Sequence, residues 1–90
     1  MNECVYRQNQ EVIFRQEQDE ALLFNPATSA IAAINSTACY AWGLFDGKLT
    51  LGAIINKMTE RFEVEQVILK KDLMSCIKDL EKEGFLEKIK

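Results

Sequence analysis
The strongest nucleophiles in this chain are the thiols of Cys4, Cys39 and Cys76, and no histidine is present to activate them. A Ser–His or Cys–His pair is therefore excluded, and the commonest general base of enzymes is missing. Three widely spaced thiols, with no CxxC pair and no imidazole, do not make a structural zinc site. Their odd number does not suit a disulfide framework either. Cys39 and Cys76 fall within apolar helical patterns and read as small core residues, whereas Cys4 lies in an N-terminal stretch expected to fray and receives no role. The carboxylates sit in polar runs such as Glu17-Gln18-Asp19-Glu20 and Asp79-Leu80-Glu81, which read as solvated surface rather than as an acid–base pair held in an apolar pocket. Gly43, Gly47, Gly52 and Gly84 are dispersed in or at the ends of expected helices, so no phosphate-cradling loop forms. Trp42 has the ring to stack on a ligand, yet beside Ala38 and Phe45 on a helix it reads as a core anchor. No catalytic residue, metal ligand or cofactor is expected, and the chain reads as a non-enzyme.

The elements that carry these residues follow from patterning. Ninety residues, 48% hydrophobic and 28% charged with one proline, suit one domain over residues 1–90 with a small core. A net charge of −3 disfavours a broad phosphate-binding surface. The start, Met1-Asn2-Glu3-Cys4, has no basic stretch leading into an apolar run. No run approaches the ~20 apolar residues of a membrane span. The expectation is a soluble cytoplasmic protein with neither membrane nor nucleic acid as partner.

Val12-Ile13-Phe14-Arg15-Gln16 and Ala21-Leu22-Leu23-Phe24 are short apolar runs across a polar connection, which predicts a β-hairpin. Asn25-Pro26-Ala27-Thr28 predicts a turn, and Ala30-Ile31-Ala32-Ala33-Ile34 a third strand. Asn35-Ser36-Thr37 offers N-caps to a helix from Ala38 to Phe45, ended by Asp46 and a left-handed Gly47. Thr50 caps a second helix bearing Leu51, Ile54, Ile55, Met58 and Phe62 on one face, with Gly52 a modest defect in its first turn. Val64-Glu65 leads into a third helix, about Gln66 to Glu83, stopped by Gly84, after which Phe85-Leu86 folds back on the core.

At about 100° per residue, the third helix places Leu69, Leu73, Cys76, Ile77 and Leu80 on one stripe, its core face. One flank holds Asp72, Asp79 and Glu83. The other holds Val67, Lys70, Met74, Lys71 and Lys78, with Glu81 its one acid. Charge stripes usually face solvent. Apolar side chains mixed with charge of one sign would also suit the wall of a groove for an acidic or amphipathic peptide.

The ordered set Arg15-Gln16-Glu17, Leu22-Leu23-Phe24-Asn25-Pro26-Ala27-Thr28, Ile34-Asn35-Ser36-Thr37-Ala38, Trp42 before Asp46-Gly47, Thr50 through Arg61-Phe62, Val67, Asp72-Leu73, Leu80 and Gly84-Phe85-Leu86 resembles the PqqD-like family over about residues 12–86. The resemblance implies an α+β winged helix-turn-helix, a three-stranded antiparallel sheet followed by three helices. It also implies a non-catalytic adaptor for ribosomally synthesised, post-translationally modified peptides. In such a domain the precursor's leader peptide adds as a strand along the third strand, in a cleft closed by the third helix. Carried over, the edge is Ala30, Ile31, Ala32, Ala33 and Ile34, and the opposite wall is assigned to Val67, Lys70, Lys71, Met74 and Lys78. The partners implied are a leader peptide and a modifying enzyme or leader protease, as in radical-SAM pathways such as PQQ biosynthesis or in lasso-peptide maturation. Where relatives often have glycine, the first hairpin carries Asp19-Glu20, and the third strand lacks an aromatic residue. A homodimer through the free strand edge or the N-terminal segment would compete with the leader. The reading from another class is a winged-helix DNA-binding regulator that uses Lys70, Lys71 and Lys78, against which stand the negative net charge and the absence of arginine from that helix.

Overall fold
The computed structural model describes residues 2–90; Met1, where the reading of a missing export signal begins, lies outside them. The first expected hairpin is present as β2 (Ile13–Glu17) and β3 (Glu20–Asn25), with β1 (Val5–Gln8) preceding it, and the third expected strand is β4 (Ala30–Ile34). Then follow α1 (Ser36–Leu44), β5 (Asp46–Thr50), α2 (Leu51–Arg61), α3 (Gln66–Lys82) and β6 (Leu86–Lys88). The three expected strands form one antiparallel sheet in the order β2-β3-β4, and a second antiparallel sheet, β5-β1-β6, joins both ends of the chain.

That second sheet corrects two expectations. Cys4 does not fray: its carbonyl accepts from the Leu51 amide, and Val5 and Tyr6 beyond it are buried. Gly47 does take a positive φ (79°), but it lies within β5, while α1 ends earlier at Phe45, whose amide donates to Trp42. Gly52 also acquires a reason. Its amide donates to the Asn2 carbonyl, and a Cβ there would lie 3.2 Å from Asn2 Cβ. The helix caps follow the chemistry of their residues, since Asn35 accepts from the Ala38 amide at 2.9 Å and Thr50 from the Ala53 amide at 3.2 Å.

The core is built from Leu23 of β3, Trp42 and Phe45 around the end of α1, Leu51, Ile54, Ile55 and Met58 of α2, the α3 stripe and Phe85. Trp42 is thus a core residue, as expected, while Cys39 and Cys76 are half-buried at its margin. Pleating divides the β2-β3-β4 sheet cleanly. Ala21, Leu23 and Asn25 turn inward with Ile34, whereas Leu22, Ile13 and Ile31 turn outward and are exposed. Among the described residues, no helix is long and apolar enough to cross a membrane.

The C-terminus of α3 fixes how helix and sheets meet. Gly84 adopts φ +80°, its amide donates to Glu81 and that of Phe85 to Leu80, which closes a Schellman motif. The outward carbonyl of Gly84 then accepts from Asn9 Nδ2 at 2.9 Å and from Asn25 Nδ2 at 3.3 Å. Asn25 is the one buried polar residue among those described, and its Oδ1 accepts from the Ala27 amide. A Cβ at position 84 would come within 2.8 Å of Asn25 Nδ2. Gly84→Ala is expected to lose about 2–3 kcal/mol through left-handed strain and this collision. Asn25→Ala should lose about 1–3 kcal/mol, because the Glu83 carbonyl and the Ala27 amide lose their partner and the Gly84 carbonyl keeps only Asn9. Because they act on one contact, the double variant should lose less than the sum, as urea denaturation will measure.

Candidate peptide-binding cleft
β4 pairs on one side only, with β3. The amides and carbonyls of alternate β4 residues therefore point to open space along its outer edge. Three of its five residues are small, Ala30, Ala32 and Ala33 beside Ile31 and Ile34, so another chain could approach closely. Asn25 fixes the direction of the helix beside this edge. It pairs with Ala30 across the sheet and bonds the carbonyls of Glu83 and Gly84, so the Ala30 end of β4 lies by the C-terminal end of α3.

Between this edge and α3 runs a cleft of about 640 Å³. The strand contributes Ala32, Ala33 and Ile34, and the entry to α1 adds Asn35, Thr37 and Ala38. Met58 of α2 and Phe62 just after it form the floor with Leu69, Leu73 and Leu80 of α3, and Val64 stands at one end. The exposed part of the helical wall is Asp72, Ser75 and Asp79, with Cys76 half-buried among them.

The flank of α3 that faces β4 is therefore the acidic one. Of the residues assigned from the sequence, Ala32, Ala33 and Ile34 line the cleft, and Ala30 and Ile31 continue the same edge without lining it. Val67, Lys70, Lys71, Met74 and Lys78 all stand outside it. Met74 and Lys78 border a separate depression beside Tyr6 and Glu81, and Val67 is 79% exposed. Asp72, Ser75, Cys76 and Asp79 escaped the sequence reading. No local signal in the sequence separates the two flanks, because both border the core stripe of α3 equally.

The cleft offers apolar, hydroxyl, amide, carboxylate and thiol side chains. Its one thiol, Cys76, is pushed up by burial and further by the Asp79 carboxylate, so it stays protonated at neutral pH. Burial, then Glu20, raises Cys39 in the same sense, and burial raises Tyr6. The folded protein holds these protons more tightly than the unfolded chain. Their contribution is complete below the unfolded-state thiol value of about 8.5 and fades as pH climbs through the folded-state values. Urea midpoints should therefore fall above about pH 8.5, and the slope should flatten in a Cys39→Ala/Cys76→Ala variant, which retains only the Tyr6 share.

A family model described as coenzyme PQQ synthesis protein D (PqqD) matches residues 20–86. No curated protein matches the chain in sequence. A solved structure of TbiB1 in complex with the TbiA(beta) leader peptide is similar with a TM-score of 0.79, over 90% of this chain and 94% of that one. At 17% identity that likeness establishes the fold.

Proposed function
Because this chain belongs to the PqqD family, we propose that it is a non-catalytic adaptor that holds the leader of a ribosomally made precursor peptide as a fourth strand on β4. The observation that carries this reading is the unpaired edge of β4 running along a cleft that α3 closes. Backbone hydrogen bonds to the edge supply affinity for an extended chain, and the cleft supplies selection among side chains. The leader peptide in the TbiB1 structure, on the same fold, supports the same occupant here.

The adaptor acts by concentration. A bound leader keeps its attached core segment near an enzyme that also binds the adaptor, so a bimolecular encounter becomes an intramolecular one. That enzyme is a radical-SAM modifying enzyme or a leader protease, and the assembly works in the cytoplasm. A leader that is disordered when free loses chain entropy on binding, so its affinity is lower than its contact area would suggest.

Calorimetric titration with the leader segment of a precursor peptide found encoded near this gene, and with random duplex DNA as control, tests the reading. Micromolar or tighter leader binding without DNA binding is expected. Bound leader should also shield Cys76 from alkylation. Ala32→Phe, which fills the cleft from the strand side, should weaken leader binding about tenfold or more while leaving the far-ultraviolet circular dichroism unchanged. Leader binding that persists in this variant would place the site elsewhere.

A further inference from the structure
The charges of the cleft are all of one sign. No lysine or arginine lines it, and Asp72 and Asp79 are its only ionisable groups besides Cys76. Neither aspartate forms an ion pair among the described residues, where the pairs found are Arg7–Glu87 and Arg15–Glu17. Seven residues apart, the two carboxylates lie on one face of α3, separated by two turns or about 10 Å. Between them Ser75 and Cys76 open the wall toward the apolar floor of Leu69, Leu73 and Met58.

From this arrangement we infer that the cleft selects an extended peptide segment with one apolar side chain flanked by basic ones, in the pattern basic-x-apolar-x-basic. The inference rests on the leader-binding reading and specifies its ligand. Side chains on one face of a strand repeat about every 6.7 Å, so the first and fifth residues of such a segment stand about 13 Å apart. Flexible lysine or arginine side chains close the small difference from the carboxylate spacing. The third residue then meets the gap left by Ser75 and Cys76 and enters the floor. Acidic segments are repelled along the whole rim. Charge complementarity thus points to a cationic amphipathic strand, although the sequence alone had suggested an acidic or amphipathic one.

The test is an mRNA-display selection with a random twelve-residue library at low salt on the whole protein, on Ala32→Phe and on Asp72→Lys/Asp79→Lys. Peptides retained by Ala32→Phe are subtracted as surface binders, which removes those held only by the negative net charge. Wild type is expected to enrich basic-x-apolar-x-basic sequences, and the charge-swapped protein to exchange the basic positions for acidic ones. With a selected peptide, Asp72→Asn and Asp79→Asn should each weaken binding about two- to fivefold, less at high salt. Enriched apolar strands with no charge bias, or a bias unchanged by the charge swap, would overturn this inference and leave leader binding standing. Failure to enrich any peptide excluded by Ala32→Phe would overturn the leader-binding reading itself.

Discussion
The carbonyl of Gly84 takes hydrogen bonds from two asparagines that lie 75 and 59 residues earlier in the chain. Asn9 follows the first strand of one sheet, Asn25 ends the middle strand of the other, and Gly84 closes the longest helix. One peptide group therefore ties both sheets to α3. Only a residue without a Cβ can take the left-handed turn there and leave room for the Asn25 amide. Since Asn25 is paired with Ala30, the same contact sets the direction in which α3 passes the free edge of β4. The cleft is a consequence of that latch. Its far end is lined separately, by Met58 of α2, Phe62 just after it and the entry to α1.

The N-terminal segment has a comparable task on the opposite side. The amides of Leu51 and Gly52, at the start of α2, are satisfied by the carbonyls of Cys4 and Asn2, and Gln8 Nε2 donates to the Trp42 carbonyl at the end of α1. Helix ends otherwise left open to water are thus bound to β1 and the residues before it. This arrangement holds α1 and α2 firmly behind the cleft, and the strand edge is its open side.

What could be read from the sequence was local. The hairpin, β4 and all three helices follow from alternation, caps and the stop at Gly84, each decided within a few residues. The second sheet was not legible. Asp46-Gly47-Lys48-Leu49-Thr50 has a composition that disfavours strands, and β6 is three residues long. These segments are strands because β1 offers partners across the whole length of the chain. The site divided in the same way. The edge strand was found by its own pattern, whereas the two flanks of α3 are equivalent on a helical wheel. Only the long-range latch decides between them, and it turns Asp72 and Asp79 toward β4 rather than Lys70 and Lys78.

The pleat of β4 has a consequence for any segment laid along it. A strand sends odd and even residues to opposite sides, so such a segment would carry two interleaved messages. One parity meets α3 and the cleft; the other joins the uncovered outer face beside Ile31. Each set could drift independently of the other so long as spacing is kept. Inserting one residue between two contact positions would exchange the readers of everything beyond it. A precursor recognised in this way would tolerate many substitutions and very few shifts of frame.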